Sequence, residues 1–206
     1  SPTAVEWMPG DRIVVLEKGG RLRIGRPGSS SFATAIDLDV CTNSEQGLLG
    51  FTHDPGFLTN RHVFVYYTAR VGGGCVNRVS RLHLGTNDRI DPASELILLD
   101  NISSNRGNHN GGDLDIGSDG YLYVAVGDAG RDPRGDSGSA GGNDAAQDLS
   151  LLNGKILRIT TTGHPAPGNP LLGAAIMFAF TLGASPVSPR TSLRMSPLPI
   201  LSAFPG

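Results

Sequence analysis

Short runs of alternating apolar and polar residues follow one another along the chain, each ending at glycine, proline or an Asn/Asp pair. RIVVLEKGGRLRIGR (12–26) contains two such runs across Gly19-Gly20, the pattern of a β-hairpin. GLLGFTHDPGF (47–57) is an apolar run closed by an Asp-Pro-Gly turn. HVFVYYT (62–68) and NRVSRLHL (77–84) predict two more strands, ELILLD (95–100) another, and GKILRIT (154–160) the last clear one. Between them, GNHNGGDLDIGSDGYLYVAVGD (107–128) predicts strands near 112–116 and 121–126 around a Gly-Ser-Asp-Gly turn. No stretch of ten or more residues repeats its apolar positions at 3.6-residue spacing, so little helix is expected.

A repeat underlies this order. Residues 47–68 and 111–128 share one plan: glycine entry, strand, turn, then a strand rich in valine and aromatics. Each is followed by a strand that starts polar and carries arginine. The period, His62 to Tyr121, is longer than a standard propeller blade but admits one with inserted loops. Repeated antiparallel units of this kind favour a β-propeller over a sandwich. After residue 169 the alternation fades and no Asp or Glu remains, so 1–169 reads as propeller blades and 170–206 as an atypical tail, disordered or frame-diverged.

Composition narrows the class. The 206 residues include 29 glycines and 14 prolines without a triplet period, which suits many tight turns. A net charge of −2 argues against a nucleic-acid binder. The longest apolar stretch, 171–184, is short for a membrane span and broken by glycines. No signal peptide opens the chain, which fits either a cytoplasmic protein or a mature form. Cys41 and Cys75 lie outside any zinc spacing; they form either one disulfide or two half-buried thiols.

Three segments could carry chemistry. His109, among Asn108, Asn110 and two glycines, suits a base near neutral pH and equally a hydrogen-bonded turn residue. The Gly-rich loop 127–148 holds Asp128, Asp132, Asp136, Asp144 and Asp148; such hard oxygens suit calcium, although EF-hand spacing is absent. An acidic loop paired with Arg131 and Arg134 is the plainer alternative. Glu45 and Gln46 sit just before an apolar strand, where they could meet a ligand or complete a turn.

In their order, SEQGLLGFTHDPGFLTNRHVFVYYT, NRVSRLHL, DPASELILLD, GNHNGGDLDIGSDGYLYVAVGDAG, AQDLSLLNGKILRI and GHPAPGNP resemble the glucose/sorbosone dehydrogenase family over roughly residues 10–170. The resemblance implies an all-β, six-bladed β-propeller, of which this chain carries about half the blades. It implies pyrroloquinoline quinone as cofactor, with calcium beside it. His109 matches the family's catalytic histidine, which takes the proton from the sugar's anomeric hydroxyl. Glu45, Gln46, Asn108 and Asn110 become cofactor-binding candidates, and Asp128, Asp132 and Asp144 calcium candidates. Asn108 stands where the family often has an acid that orients the histidine. The implied partners are a sugar or polyol and an external electron acceptor, with no nucleic acid and no membrane span, in the periplasm or outside the cell. The alternative is a non-catalytic extracellular binding module or an inactive fragment, because the family's later cofactor-gripping segments are not found after Pro170.

Overall fold

In the computed structural model the described residues are 1–104, 107–129, 143–146, 148–172, 177–178 and 180–181. Three four-stranded antiparallel sheets follow one another. The first holds β1 (Pro2–Met8), β2 (Arg12–Glu17), β3 (Arg21–Gly25) and β4 (Ala33–Asp37) in that order. The second holds β5 (Leu48–His53), β6 (His62–Val71), β7 (Gly74–His83) and β8 (Leu96–Ser103). A single helical turn, α1 (Phe57–Asn60), joins β5 to β6. The third is built on β9 (Gly111–Ile116), β10 (Leu122–Val126) and β11 (Lys155–Ile159). Beyond the short pair β12 (Leu171–Leu172) and β13 (Met177–Phe178), β14 (Phe180–Thr181) pairs with β11, so backbone past residue 169 completes this sheet. Four-stranded meanders repeated in line are the blades of a propeller.

Two apolar cores explain the stacking. Val14, Leu16, Leu22 and Ile24 of the first sheet pack against Val63, Val65, Tyr67 and Leu82 of the second. Phe64, Tyr66, Val79 and Leu99 of the second pack against Leu114, Leu122, Val124, Leu157 and Ile159 of the third. The middle sheet is therefore covered on both faces. That is why HVFVYYT is a continuous apolar run, buried from Val63 to Ala69, whereas β2, β10 and β11 alternate and bury one face. The first strand of the middle sheet, β5, lies against the first strands of its two neighbours, β1 and β9.

The hairpin expected in 12–26 is β2–β3, and the strands expected from 47 to 160 are present. The two repeat units are consecutive sheets, β6 matching β10 and β7 matching β11. Strands β1 and β4 are additional to the sequence reading. Val5 and Trp7 of β1 remain exposed beside polar neighbours, and β4 buries the adjacent residues Ala35 and Ile36, so neither shows the usual alternation of a half-buried strand. Cys41 and Cys75 form a disulfide, which resolves the two options left open above.

Candidate functional site

His109 lies in the connection from β8 to β9, and the register of the β9–β10 hairpin decides what it meets. Leu114 pairs with Val124, but Gly111 pairs with Val126, so β9 carries one extra residue, a β-bulge. Continuing that shifted register two residues past each strand end sets His109 opposite Asp128. The backbone follows it: the Gly127 amide donates to the Asn110 carbonyl at 3.1 Å, and the Ala129 amide to that of His109 at 3.1 Å. Across this pairing, His109 Nδ1 lies 2.9 Å from Asp128 Oδ1. The side chains keep 31% and 18% of their surface exposed, so the pair sits at a mouth rather than in the core.

The close approach requires glycine. A Cβ at Gly127 would stand 1.9 Å from the His109 carbonyl oxygen, and one at Gly111, whose φ is +69°, 2.5 Å from the Gly127 amide nitrogen. His109 itself takes a left-handed backbone (φ 51°), uncommon outside glycine but more frequent for histidine than for most residues. Its amide donates to Glu45 Oε2 at 2.6 Å, and the Glu45 amide donates to the Gly107 carbonyl at 2.8 Å. The SEQGLLG turn and the His109 loop are thereby joined by side chain and main chain.

Below the histidine lies a buried polar network. Asn110 Oδ1 accepts from Ser104 Oγ (2.6 Å) and from Asn77 Nδ2 (3.0 Å), while Asn110 Nδ2 donates to the Gly107 carbonyl (3.0 Å). Gln46 Nε2 donates to both Ser104 oxygens at 2.9 Å, and Thr68 Oγ1 donates to Asn77 Oδ1 at 2.8 Å. Tyr66 donates its hydroxyl to the Asn110 carbonyl at 2.8 Å. Burial pushes the Tyr66 phenol far above its ordinary pKa, so it remains a donor at any working pH. On the far side, Asn153 Nδ2 reaches the carbonyls of Ser103 and Gly127. Lys155, 2% exposed, donates to the carbonyls of Ala145 and Asn153, and burial lowers its pKa.

Each expected residue can now be placed. His109, Glu45 and Asp128 come together at the mouth of the loop, and Asn108 precedes His109 in it, half-buried. Gln46 and Asn110 are 3% and 1% exposed, and their amides are spent on the network that supports His109. Asp128, a calcium candidate, is the partner of the histidine ring. It is a carboxylate beside the ring, which Asn108 cannot provide. Asp132 and Asp136 lie outside the described residues; Asp144 falls on the short 3-10 turn Asn143–Ala146. Among the described residues no group of three or more His, Cys, Asp or Glu could hold a metal ion. The sequence reading missed Asn77, Ser104, Thr68 and Tyr66. They are scattered over three segments, and no local pattern announces that they meet.

A propeller-type stack of sheets, with a His–Asp pair at a strand-end loop, defines the class: a β-propeller. Comparison with known proteins gives the family. The Glucose / Sorbosone dehydrogenase family model matches residues 1–183, and the chain belongs to that family. It is 28% identical to the aldose sugar dehydrogenase YliI of Escherichia coli strain K12 over 177 residues, 83% of this chain and 44% of that one. It is 26% identical to quinoprotein glucose dehydrogenase B of Acinetobacter calcoaceticus over 199 residues, covering 88% and 41%. Among solved structures, the PQQ-bound aldose sugar dehydrogenase of Streptomyces coelicolor superposes with a TM-score of 0.70 at 26% identity, covering 85% of this chain and 49% of that one. An oxidoreductase (glucose dehydrogenase) from Thermus thermophilus gives 0.69 at 38% identity, covering 84% and 47%. The chain thus spans less than half the length of these relatives. Among the described residues no helix is long and apolar enough to cross a membrane.

Proposed function

We propose that this chain carries the proton-accepting site of a pyrroloquinoline quinone-dependent aldose dehydrogenase, with His109 as the base that takes the anomeric hydroxyl proton of the sugar. The observation behind this reading is the His109–Asp128 pair at 2.9 Å. With Nδ1–H donated to the Asp128 carboxylate, the ring lone pair lies on Nε2, where a substrate hydroxyl could give up its proton. The carboxylate fixes that tautomer and stabilises the imidazolium that forms, a service a general base gains from a buried or half-buried acid. The His109 amide donates to the Glu45 carboxylate.

The described residues fit the proton-accepting half of this chemistry. When bound, the quinone would supply the two-electron acceptor for the hydride that leaves the anomeric carbon. Asn108 and Glu45, flanking His109, are the residues of this chain that would border it. Asn108 is the better partner, because a carboxylate repels an anionic cofactor. Calcium finds no ligand cluster among the described residues, so no role for it is built on them. A disulfide suits an oxidising compartment, which favours the periplasm or the cell exterior. An external acceptor would then reoxidise the cofactor.

The test is dye-linked oxidation of aldoses after addition of the quinone with calcium, alongside calorimetry of quinone binding. Turnover abolished by His109→Ala, with quinone binding retained, is the expected result. Neither turnover nor quinone binding in the parent protein would leave a non-catalytic binding module or an inactive fragment as the surviving readings.

A further inference from the structure

The turn that carries Glu45 is pinned at both ends to a single residue. The Cys41 amide donates to the Thr68 carbonyl at 2.9 Å. The Thr68 amide donates to the Gly47 carbonyl at 2.8 Å, and the Gly47 amide to Thr68 Oγ1 at 3.4 Å. Residues 41–47 therefore form a closed loop standing on β6. Its tip reaches across to the next sheet, where Glu45 binds the Gly107 carbonyl through its amide and the His109 amide through its carboxylate. The foot of the loop is covalently tied: Cys41 is bonded to Cys75, which opens β7 after the β6–β7 turn. Cys41 is buried, whereas Cys75 is partly exposed.

We propose that Glu45 is a positioning residue for His109, acting through the main chain, and that the Cys41–Cys75 disulfide makes this positioning sensitive to reduction. The proposal rests on the reading of His109 as the base, but the bond it concerns can be observed without turnover. His109 holds a left-handed backbone, which the Glu45 carboxylate stabilises by accepting its amide. A dithiol reductant would attack Cys75 Sγ and release Cys41 as a thiolate. Its second thiol would then free Cys75, leaving two protein thiols and an oxidised cyclic disulfide. Hydrogen bonds to Thr68, the Val40–Ala69 bridge and the Arg70 bond to the Val40 carbonyl would then be the non-covalent anchors of the foot of the loop.

Amide hydrogen exchange of the full chain, followed by NMR, tests both parts. Glu45→Ala should speed exchange at the His109 amide by about tenfold or more relative to the amides of Leu22 and Val124, the loss expected for one hydrogen bond to a carboxylate. Glu45→Gln, which keeps an acceptor oxygen at that place, should restore part of the protection. Treatment of the parent protein with dithiothreitol should give the same selective change at His109. An unchanged His109 amide in Glu45→Ala overturns the positioning role. A reduced protein in which His109 speeds up no more than Leu22 and Val124 overturns the redox sensitivity. Should His109→Ala leave dye-linked turnover intact while these exchange results hold, the reading of His109 as the base fails and the strap stands.

Discussion

His109 and Asp128 face each other because one extra residue in β9 shifts the register of a hairpin. Without that bulge, Asp128 would lie opposite Asn110, whose side chain points into the interior network. The charge of Asp128, and not only its shape, matters for a base that becomes cationic. Asp128→Asn should therefore lower the rate of dye-linked aldose oxidation by about 10²–10⁴-fold, the range known for acids that orient a catalytic histidine. Gly127→Ala should damage the same pair from the backbone side. Its methyl would collide with the His109 carbonyl, at a cost of about 1–3 kcal/mol in chemical denaturation. The histidine among asparagines and glycines was legible as a candidate in the sequence. Asp128 was visible too, as a calcium candidate, but its pairing with His109 was not, because nothing local tells a strand-end aspartate which register it will join.

The elements around the site are held by buried polar groups. Asn110 is the node, joining Ser104 at the end of β8, Asn77 in β7 and Tyr66 in β6 to the entry of β9. Removing its side chain strands donors on both Ser104 and Asn77. Asn110→Ala should accordingly cost about 2–4 kcal/mol, more than an ordinary surface substitution, as read from a urea melt. Tyr66→Phe removes only one donor to a carbonyl that also accepts from Gly127, and should cost about 1 kcal/mol. The strands themselves were readable from alternation and apolar runs, whereas the double-sided burial of β6 emerged only from the packing of the sheets. The network was not readable, because its members come from β6, β7, the end of β8 and the entry of β9, far apart in the chain.

Across the whole molecule, ion pairs and the disulfide tie distant segments together. Asp88 receives Arg12 from β2 (2.7 Å) and Arg26 from the end of β3 (2.9 Å), with Arg61 at 3.7 Å. Partial burial acts to raise its pKa, but the arginines outweigh it and hold the carboxyl below its usual range. Arg78 does the same for Asp100 against the same opposing effect of burial. A depressed carboxyl stabilises the fold fully above the unfolded carboxylate range and loses that contribution as pH falls through the lower folded value. Denaturant midpoints should therefore decline below about pH 4, and Asp88→Asn should flatten that decline. Breaking the Cys41–Cys75 bond should lower stability by about 3–4 kcal/mol on the loop-entropy account, seen as a lower Tm with reductant present.

By itself the sequence determined an all-β chain of repeated meanders, the order of most strands, the family and the histidine to look at. These depend on local alternation, turn residues and motif order, all of which lie within a few residues of one another. Tertiary structure decided the pairing of Cys41 with Cys75, the partner of His109, and the interior placement of Gln46 and Asn110. It decided them because each depends on where two strand ends meet in space. A one-residue bulge changes that meeting without leaving a distinct mark on the pattern of apolar and polar positions.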